Sequence, residues 1–123
     1  MLLVAGGSGS VPLIAMLRAH RHRQHGALQL VYSARTLADV LHADELAAAP
    51  EGVGVDLVYS RGRSRRPGGR RATARRPRPT RGPVDVYVCG PTGFVESAAT
   101  MLVTLGYDEA RIRTERFGGG GRP

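Results

Sequence analysis

Short apolar runs recur along the chain and alternate with stretches that carry apolar residues at helical spacing. The runs predict five strands, at residues 2–5, 28–32, 53–59, 84–89 and 111–117, the last of them at an edge of the sheet. Continuous apolar strands are typical of a parallel sheet covered on both faces. The alternation therefore predicts an α/β domain with a doubly wound, five-stranded parallel sheet, in which ligands bind at the carboxyl ends of the strands.

Three helices are predicted in the connections between these strands. The first begins just after Ser10, its expected cap, with Pro12 in the first turn, where a missing N–H costs nothing. The second is expected to be capped by Thr36 and to carry Leu37, Val40 and Leu41 on one face. The third follows residues 91–93 and ends at Gly106, in the position that glycine favours after a helix.

The alternation stops at residues 60–83, where the sequence SRGRSRRPGGRRATARRPRPTRGP has almost nothing to bury. Such a composition cannot offset the entropy of ordering, and we expect a disordered or mobile loop. The chain of 123 residues is long enough for one domain. The predicted domain spans residues 1–117, is interrupted by this loop, and ends in a flexible tail at residues 118–123.

The net charge of +8 comes from the same loop. All 18 basic residues are arginines, and ten of them lie within residues 61–81, whereas the rest of the chain has eight arginines against ten carboxylates. A nucleic-acid-binding surface usually combines basic residues with aromatic side chains, and this segment has none. A nucleic-acid-associated role for residues 61–81 stays open as a minor alternative.

Composition also indicates the compartment. Cys89 is the single cysteine and cannot form an internal disulfide, so a reducing cytoplasm is expected. No apolar run approaches the roughly 18 to 20 residues of a membrane span, and no secretory signal is expected at the start of the chain. His20, His22 and His25 lie on a polar helix end and are expected to be solvated, so no metal site is predicted.

Two turns carry the candidate chemistry. The sequence GGSGSVP at residues 6–12 joins a strand to a helix, and such a turn lets backbone amides approach a pyrophosphate at the positive end of the helix. Its third glycine is replaced by Pro12, so a tight turn without a ligand is the competing interpretation. The second turn, VYVCGPTGF at residues 86–94, also leads from a strand into a helix.

The second turn strongly resembles the Cys-Gly-Pro-x-x-Phe motif of the ferredoxin–NADP reductase superfamily. The first turn resembles the Gly-Ser/Thr-Gly-x-x-Pro motif of that family, and the sequences YSAR at residues 32–35 and RTERFG at residues 113–118 resemble two further family segments. Four motifs in the family order cover most of the chain outside residues 60–83. The resemblance implies a Rossmann-like NAD(P)-binding domain of the ferredoxin-reductase type.

The resemblance also implies contacts with a bound NADP(H) or NAD(H). The residues placed at the pyrophosphate are Gly7, Ser8, Gly9 and Pro12. The residues placed at the adenosine ribose or its 2′-phosphate are Ser33, Arg35 and Arg61. The residues placed beside the nicotinamide are Cys89, with a catalytic role, and Gly90, Pro91 and Thr92. Glu115, also a catalytic candidate, and Phe117 lie where the family's C-terminal segment approaches the flavin.

Some of these positions have an ordinary structural interpretation as well. A lone cysteine on a strand is commonly a small core residue. Arg35 reads equally well as a solvated charge at a helix start, Arg61 as the edge of a charge run, and Glu115 as the surface partner of an arginine.

The family normally carries a flavin-binding barrel with an Arg-x-Tyr-Ser type motif, and no such motif is present here. We therefore expect FAD to be held by a missing or partner domain, with this chain as the NAD(P)H-binding component of a flavin-dependent oxidoreductase. NADP(H) is slightly favoured, because Arg35 and Arg61 are available and no acidic residue ends the second strand. A truncated, non-catalytic reductase fragment is the alternative.

Overall fold

The computed structural model describes residues 1–23, 27–49, 52–59 and 84–117. The strands of this part are β1 (Leu2–Gly6), β2 (Leu28–Ala34), β3 (Val53–Tyr59), β4 (Val86–Pro91) and β5 (Ile112–Phe117). The α-helices are α1 (Ser10–Arg23), α2 (Ala43–Ala47) and α3 (Thr92–Thr104). Short 3₁₀ turns lie at Gly7–Gly9, Leu37–Asp39 and Glu109–Arg111.

The strands form one five-stranded sheet in the order β3-β2-β1-β4-β5, and every neighbouring pair is parallel. This confirms the predicted α/β fold class with a five-stranded parallel sheet. The chain runs outward from the central β1 to β3 and then resumes on the other side of β1 with β4 and β5. The carboxyl ends of β1 and β4 therefore flank the point where the strand order reverses, and ligands of open α/β sheets bind at such a point.

The core has one cluster on each face of the sheet. The cluster under α1 and α2 contains Leu3, Ala5, Leu13, Ile14, Leu17, Leu28, Leu30, Tyr32, Ala34, Val40, Leu46, Leu57 and Cys89. The cluster under α3 contains Leu2, Val86, Val88, Val95, Leu102 and Tyr107. Alternate residues of a strand point to opposite faces, so consecutive residues of β1 and of β4 supply the two clusters in turn.

The predicted second helix is wrong in extent. The chain forms a 3₁₀ turn at Leu37–Asp39, Val40 is extended, and only the five residues of α2 are α-helical. His42, at φ 57°, has a left-handed backbone and stops helical hydrogen bonding from continuing across it.

Both predicted helix caps are also wrong. The Thr36 hydroxyl donates to the side-chain Oδ2 of Asp39 at 2.8 Å and bonds to no backbone N–H at the turn. Ser10 is itself helical, with φ −65° and ψ −30°, and its buried Oγ has no hydrogen-bond partner. In contrast, Gly106 has φ +98° and ends the turn after α3 as predicted.

Two predicted segments and one site residue lie outside the described residues. They are the loop at residues 60–83, which includes Arg61, and the tail at residues 118–123. The disorder expected of the loop and the flexibility expected of the tail stay predictions. Within the described ranges, no helix combines the length and apolar character needed to cross a membrane.

Removal of one core side chain tests the assignment of the larger cluster. Leu30 is fully buried on β2, whereas Leu37 is 61% exposed. We expect Leu30→Ala to lower the free energy of unfolding by about 3 kcal/mol, because it removes buried methyl groups and leaves a cavity. The same truncation at Leu37 should change it by less than about 0.5 kcal/mol. Urea unfolding of both variants measures the difference, and equal losses would contradict the assignment.

Candidate functional site

The ends of β1 and β4 lie side by side at the carboxyl edge of the sheet. In the parallel register Ala5 pairs with Cys89, so the turns that follow these two residues begin at the same level. The register of β1 with β2 places Ser33 next to Gly6 at the same edge. Three of the segments singled out in the sequence are therefore brought together.

Gly9 lies directly against the backbone of β4. A Cβ built on Gly9 would overlap the carbonyl group of Cys89 and would lie 2.6 Å from the backbone N of Gly90. Gly7, at the start of the same turn, has φ +53°, a conformation that residues with a side chain rarely adopt. The two glycines of this turn thus have different roles. Gly9 permits close approach to β4, and Gly7 permits the backbone conformation of the turn.

The Phe94 ring packs on the other side of the junction between the ends of β1 and β4. A Cβ on Gly6 would lie 2.5 Å from Cδ1 of Phe94, and a Cβ on Gly90 would lie 2.8 Å from the same atom. The ring therefore rests on the bare backbone of both strands, and a Cβ on Gly90 would also lie 3.1 Å from the Gly6 carbonyl oxygen. Replacement of either glycine by a larger residue would force the ring away.

The amino end of α1 has the character of an anion site. Gly7 and Ser8 are exposed, and the first turn of α1 contains no acidic residue among its described side chains. The aligned N–H groups of a helix start carry a partial positive charge, and no carboxylate within this first turn offsets it. The buried Ser10 hydroxyl, which has no partner, lies at the same helix start. These features fit a bound diphosphate.

Cys89 and Glu115 occupy opposite positions on β4 and β5. The Cys89 side chain is buried, and this burial raises the pKa of its thiol, with a further increase from the nearby Glu115 carboxylate. The thiol is therefore protonated and neutral at physiological pH. It is a small, weakly polar side chain at the edge of the core, and its burial and the neighbouring carboxylate both disfavour the thiolate that a nucleophilic cysteine requires.

The positions predicted at the adenosine end differ in exposure. Ser33 is half-buried, and Arg35 is exposed just after β2. No ion pair involves Arg35 within the described ranges, while the first carboxylate after it, Asp39, accepts the hydrogen bond from Thr36. The guanidinium of Arg35 is thus available to an anionic ligand at this corner of the sheet.

The remaining predicted residues also lie at the carboxyl edge. Pro12 is half-buried in the first turn of α1, and Thr92 is half-buried as the first residue of α3. Pro91 is exposed at the end of β4 and pairs with Phe117, which is 38% exposed at the end of β5. Arg61 lies outside the described residues, so its placement stays a prediction.

Sequence reasoning missed the parts played by Phe94 and Tyr32. Phe94 was visible as the last residue of the Cys-Gly-Pro-x-x-Phe motif, but its packing on two glycines is evident only when β1 and β4 are adjacent. Tyr32 is fully buried at the carboxyl end of β2, and its hydroxyl accepts a hydrogen bond from the backbone N–H of Leu41 at 3.2 Å. Its place in an apolar run indicated burial and gave no signal for this bond.

Comparison with known proteins identifies a family and several relatives of this chain. Residues 3–100 match the family described as the oxidoreductase NAD-binding domain. A flavohemoprotein of Rhodopirellula baltica is 31% identical over 96% of this chain and 32% of its own length. The ferredoxin reductase component of 3-ketosteroid-9-alpha-monooxygenase from Rhodococcus rhodochrous is 30% identical over 94% of this chain and 33% of its own length.

A solved structure has a similar fold. The FAD/NAD-binding domain of nitric oxide dioxygenase from Vibrio cholerae aligns with 94% of this chain and 50% of its own, at a TM-score of 0.75 and 26% identity. The chain therefore spans about a third of the length of these two curated relatives and half of this solved chain.

Substitution of a single glycine tests the close approach of the two turns. Gly9→Ala should lower the free energy of unfolding by about 1–3 kcal/mol, because the new methyl group overlaps the Cys89 carbonyl and the strands must shift. Gly93→Ala is the matched control, since a Cβ there meets nothing within 4 Å. Because Gly93 is helical, alanine should leave stability unchanged or raise it by up to about 1 kcal/mol. Thermal unfolding distinguishes the two, and a neutral Gly9→Ala would refute the contact.

The titration of Cys89 tests the local electrostatics. Because burial raises the pKa of the thiol in the folded state, its contribution to stability is complete below the unfolded pKa and is lost as the pH rises through the folded pKa. The difference in ultraviolet absorbance between the wild type and Cys89→Ser measures the amount of thiolate. It is recorded over a pH range that begins near the ordinary cysteine pKa of about 8.5 and extends upward. Glu115→Gln should move this titration to lower pH, whereas Glu96→Gln should not. An unchanged midpoint in Glu115→Gln would exclude the carboxylate as a cause.

Proposed function

This chain belongs to the oxidoreductase NAD-binding domain family, and on that premise we propose that it holds NADP(H) or NAD(H) along the carboxyl edge of its sheet. In this proposal it is the nicotinamide-dinucleotide-binding component of a flavin-dependent oxidoreductase. The flavin is held by another domain or protein, and the cytoplasm is the proposed compartment. The observation that carries the proposal is the direct contact of Gly9 with the Cys89 backbone at the reversal of strand order.

The phosphate end of the ligand is assigned to the start of α1. The residues proposed to surround the pyrophosphate are Gly7, Ser8, Gly9 and Pro12. Backbone N–H groups at this positive helix end supply hydrogen bonds and favourable charge, and the contact of Gly9 with β4 brings the turn after β4 beside them. The free hydroxyl of Ser10 supports the assignment, because a buried polar group without a partner is otherwise costly.

The nicotinamide end is assigned to the turn after β4. The residues proposed to line it are Cys89, Gly90, Pro91 and Thr92, with Glu115 and Phe117 on the side of the flavin. When bound, the reduced nicotinamide supplies a hydride, two electrons with one proton, and an oxidised flavin accepts it. The protein's own contribution is orientation and exclusion of water, which the neutral Cys89 thiol and the compact Gly90 backbone favour.

The adenosine end is assigned to Ser33 and Arg35, with Arg61 as a further candidate. An arginine suits a 2′-phosphate because its guanidinium can donate two parallel hydrogen bonds. Arg35 is exposed and its nearest following carboxylate is engaged by Thr36, which supports a preference for NADP(H) over NAD(H). The matching family is described by NAD binding in general, and the choice of dinucleotide is part of the proposal.

Calorimetric titration of the purified chain with NADP⁺ and NAD⁺ tests the proposal. Arg35→Ala should weaken NADP⁺ binding about tenfold and leave NAD⁺ binding unchanged, because loss of a charge-assisted hydrogen bond costs about 1.5 kcal/mol or more. Arg111→Ala is the matched control, since its guanidinium pairs with Asp85 at the opposite edge of the sheet.

Three outcomes would contradict parts of the proposal. A wild-type chain that binds neither dinucleotide would refute the function itself. Equal losses for both dinucleotides in Arg35→Ala would refute the assignment of the 2′-phosphate. A visible flavin absorbance band in the purified chain would refute the assignment of the flavin to another domain or protein. Binding of nucleic acid with a steep loss of affinity on added salt would instead favour a role for residues 61–81.

A further inference from the structure

The hydroxyl of Tyr32 holds the segment that follows β2. The Tyr32 ring is fully buried under α1 and α2, and its Oη accepts the hydrogen bond from the Leu41 N–H at 3.2 Å. The two residues are nine positions apart, so this bond connects the end of the segment at Leu41 to the carboxyl end of β2. Arg35, the residue assigned to the 2′-phosphate, lies between them.

The segment from 35 to 41 has few other connections to the core. Backbone hydrogen bonds from Asp39 to Thr36 and from Val40 to Leu37 are local to it. Val40 is buried, but Leu37 at the start of the 3₁₀ turn and Leu41 after it are 61% and 42% exposed. The Tyr32 hydroxyl and the Val40 side chain are thus the principal contacts that fix this segment on the sheet.

A second contact links α2, the helix that follows the segment, to α1. Glu45 of α2 accepts two hydrogen bonds from the Arg18 guanidinium of α1, at 2.8 and 2.7 Å. This pair is partly exposed, and exposed ion pairs contribute little to stability. The ion pair joins α2 to α1. The conformation of the segment before α2 depends on the part-buried hydrogen bond to Tyr32.

We propose that Tyr32 is a positioning residue for the adenosine end of the dinucleotide, acting through the segment that carries Arg35. This inference rests on the proposed function. A segment already held in place loses little conformational entropy on binding, whereas a loosened one must be ordered by the ligand and binds it more weakly. The effect of Tyr32 should therefore be confined to the adenosine end and absent at the nicotinamide end.

Tyr32→Phe tests this by removing the acceptor and keeping the buried ring. We expect the affinity for NADP⁺ and for adenosine 2′,5′-bisphosphate to fall about three- to tenfold, the usual range for one hydrogen bond. Binding of nicotinamide mononucleotide should be unchanged. Tyr107→Phe is the matched control, a buried tyrosine of the opposite cluster, and it should leave both ligands unaffected.

Leu41→Pro removes the donor from the other side of the same hydrogen bond. Val40 is extended, with φ −75° and ψ 117°, which is the conformation required before a proline. The exposed Leu41 side chain contributes little to the core. We expect the two single variants to lose similar affinity for adenosine 2′,5′-bisphosphate, and the double variant to lose no more than either one. This pattern identifies the bond itself, independently of any general loss of stability.

The outcomes separate this inference from the proposed function. If the wild type binds neither dinucleotide, the proposed function fails and the positioning role fails with it. If the wild type binds NADP⁺ but Tyr32→Phe binds it equally well, only the positioning role is overturned. A loss in Tyr32→Phe that is as large for nicotinamide mononucleotide as for adenosine 2′,5′-bisphosphate also overturns it, because it shows a general structural effect. Additive losses in the double variant do the same.

Discussion

The contact between Gly9 and the peptide that joins Cys89 to Gly90 leaves no space for a Cβ, and the rest of the site depends on this approach. It brings the turn after β1 against the end of β4, so that the start of α1 and the start of α3 open onto the same edge. The Phe94 ring, resting on Gly6 and Gly90, holds the other side of the junction. A site built from bare backbone can approach a ligand closely, which side chains at these positions would prevent.

The two faces of the sheet contribute differently to the site. The face under α1 and α2 contains the buried Cys89 and Tyr32, one near the nicotinamide assignment and the other near the adenosine assignment. The face under α3 contains Gly6, Gly90 and the Phe94 ring. Packing on both faces thus converges on the same edge, and contacts with the core fix the backbone of the two turns there.

The strands and their carboxyl-edge turns were predictable, because apolar runs and glycine-rich turns are local patterns. The strand from residue 53 to residue 59 was predicted with the bounds that the structure has. The second helix was not predictable in extent, since the left-handed His42 and the bond from Leu41 to Tyr32 depend on tertiary packing. The caps failed for two reasons, because Thr36 directs its hydroxyl to Asp39 and Ser10 is itself helical. The roles of the individual site residues remain predictions.

The strand order has a consequence for how the domain folds. β1, β2 and β3 are neighbours along the chain as well as in the sheet, whereas β1 must find β4 across a long intervening stretch of sequence. Contacts that close long loops are slow to form because the loss of chain entropy precedes the gain from pairing. We therefore expect the turn at Gly9 to gain its contact with β4 late in folding, when β4 pairs with β1. Until then the turn lacks the support of the β4 backbone, and the carboxyl edge between β1 and β4 is expected to be among the last parts of the sheet to form.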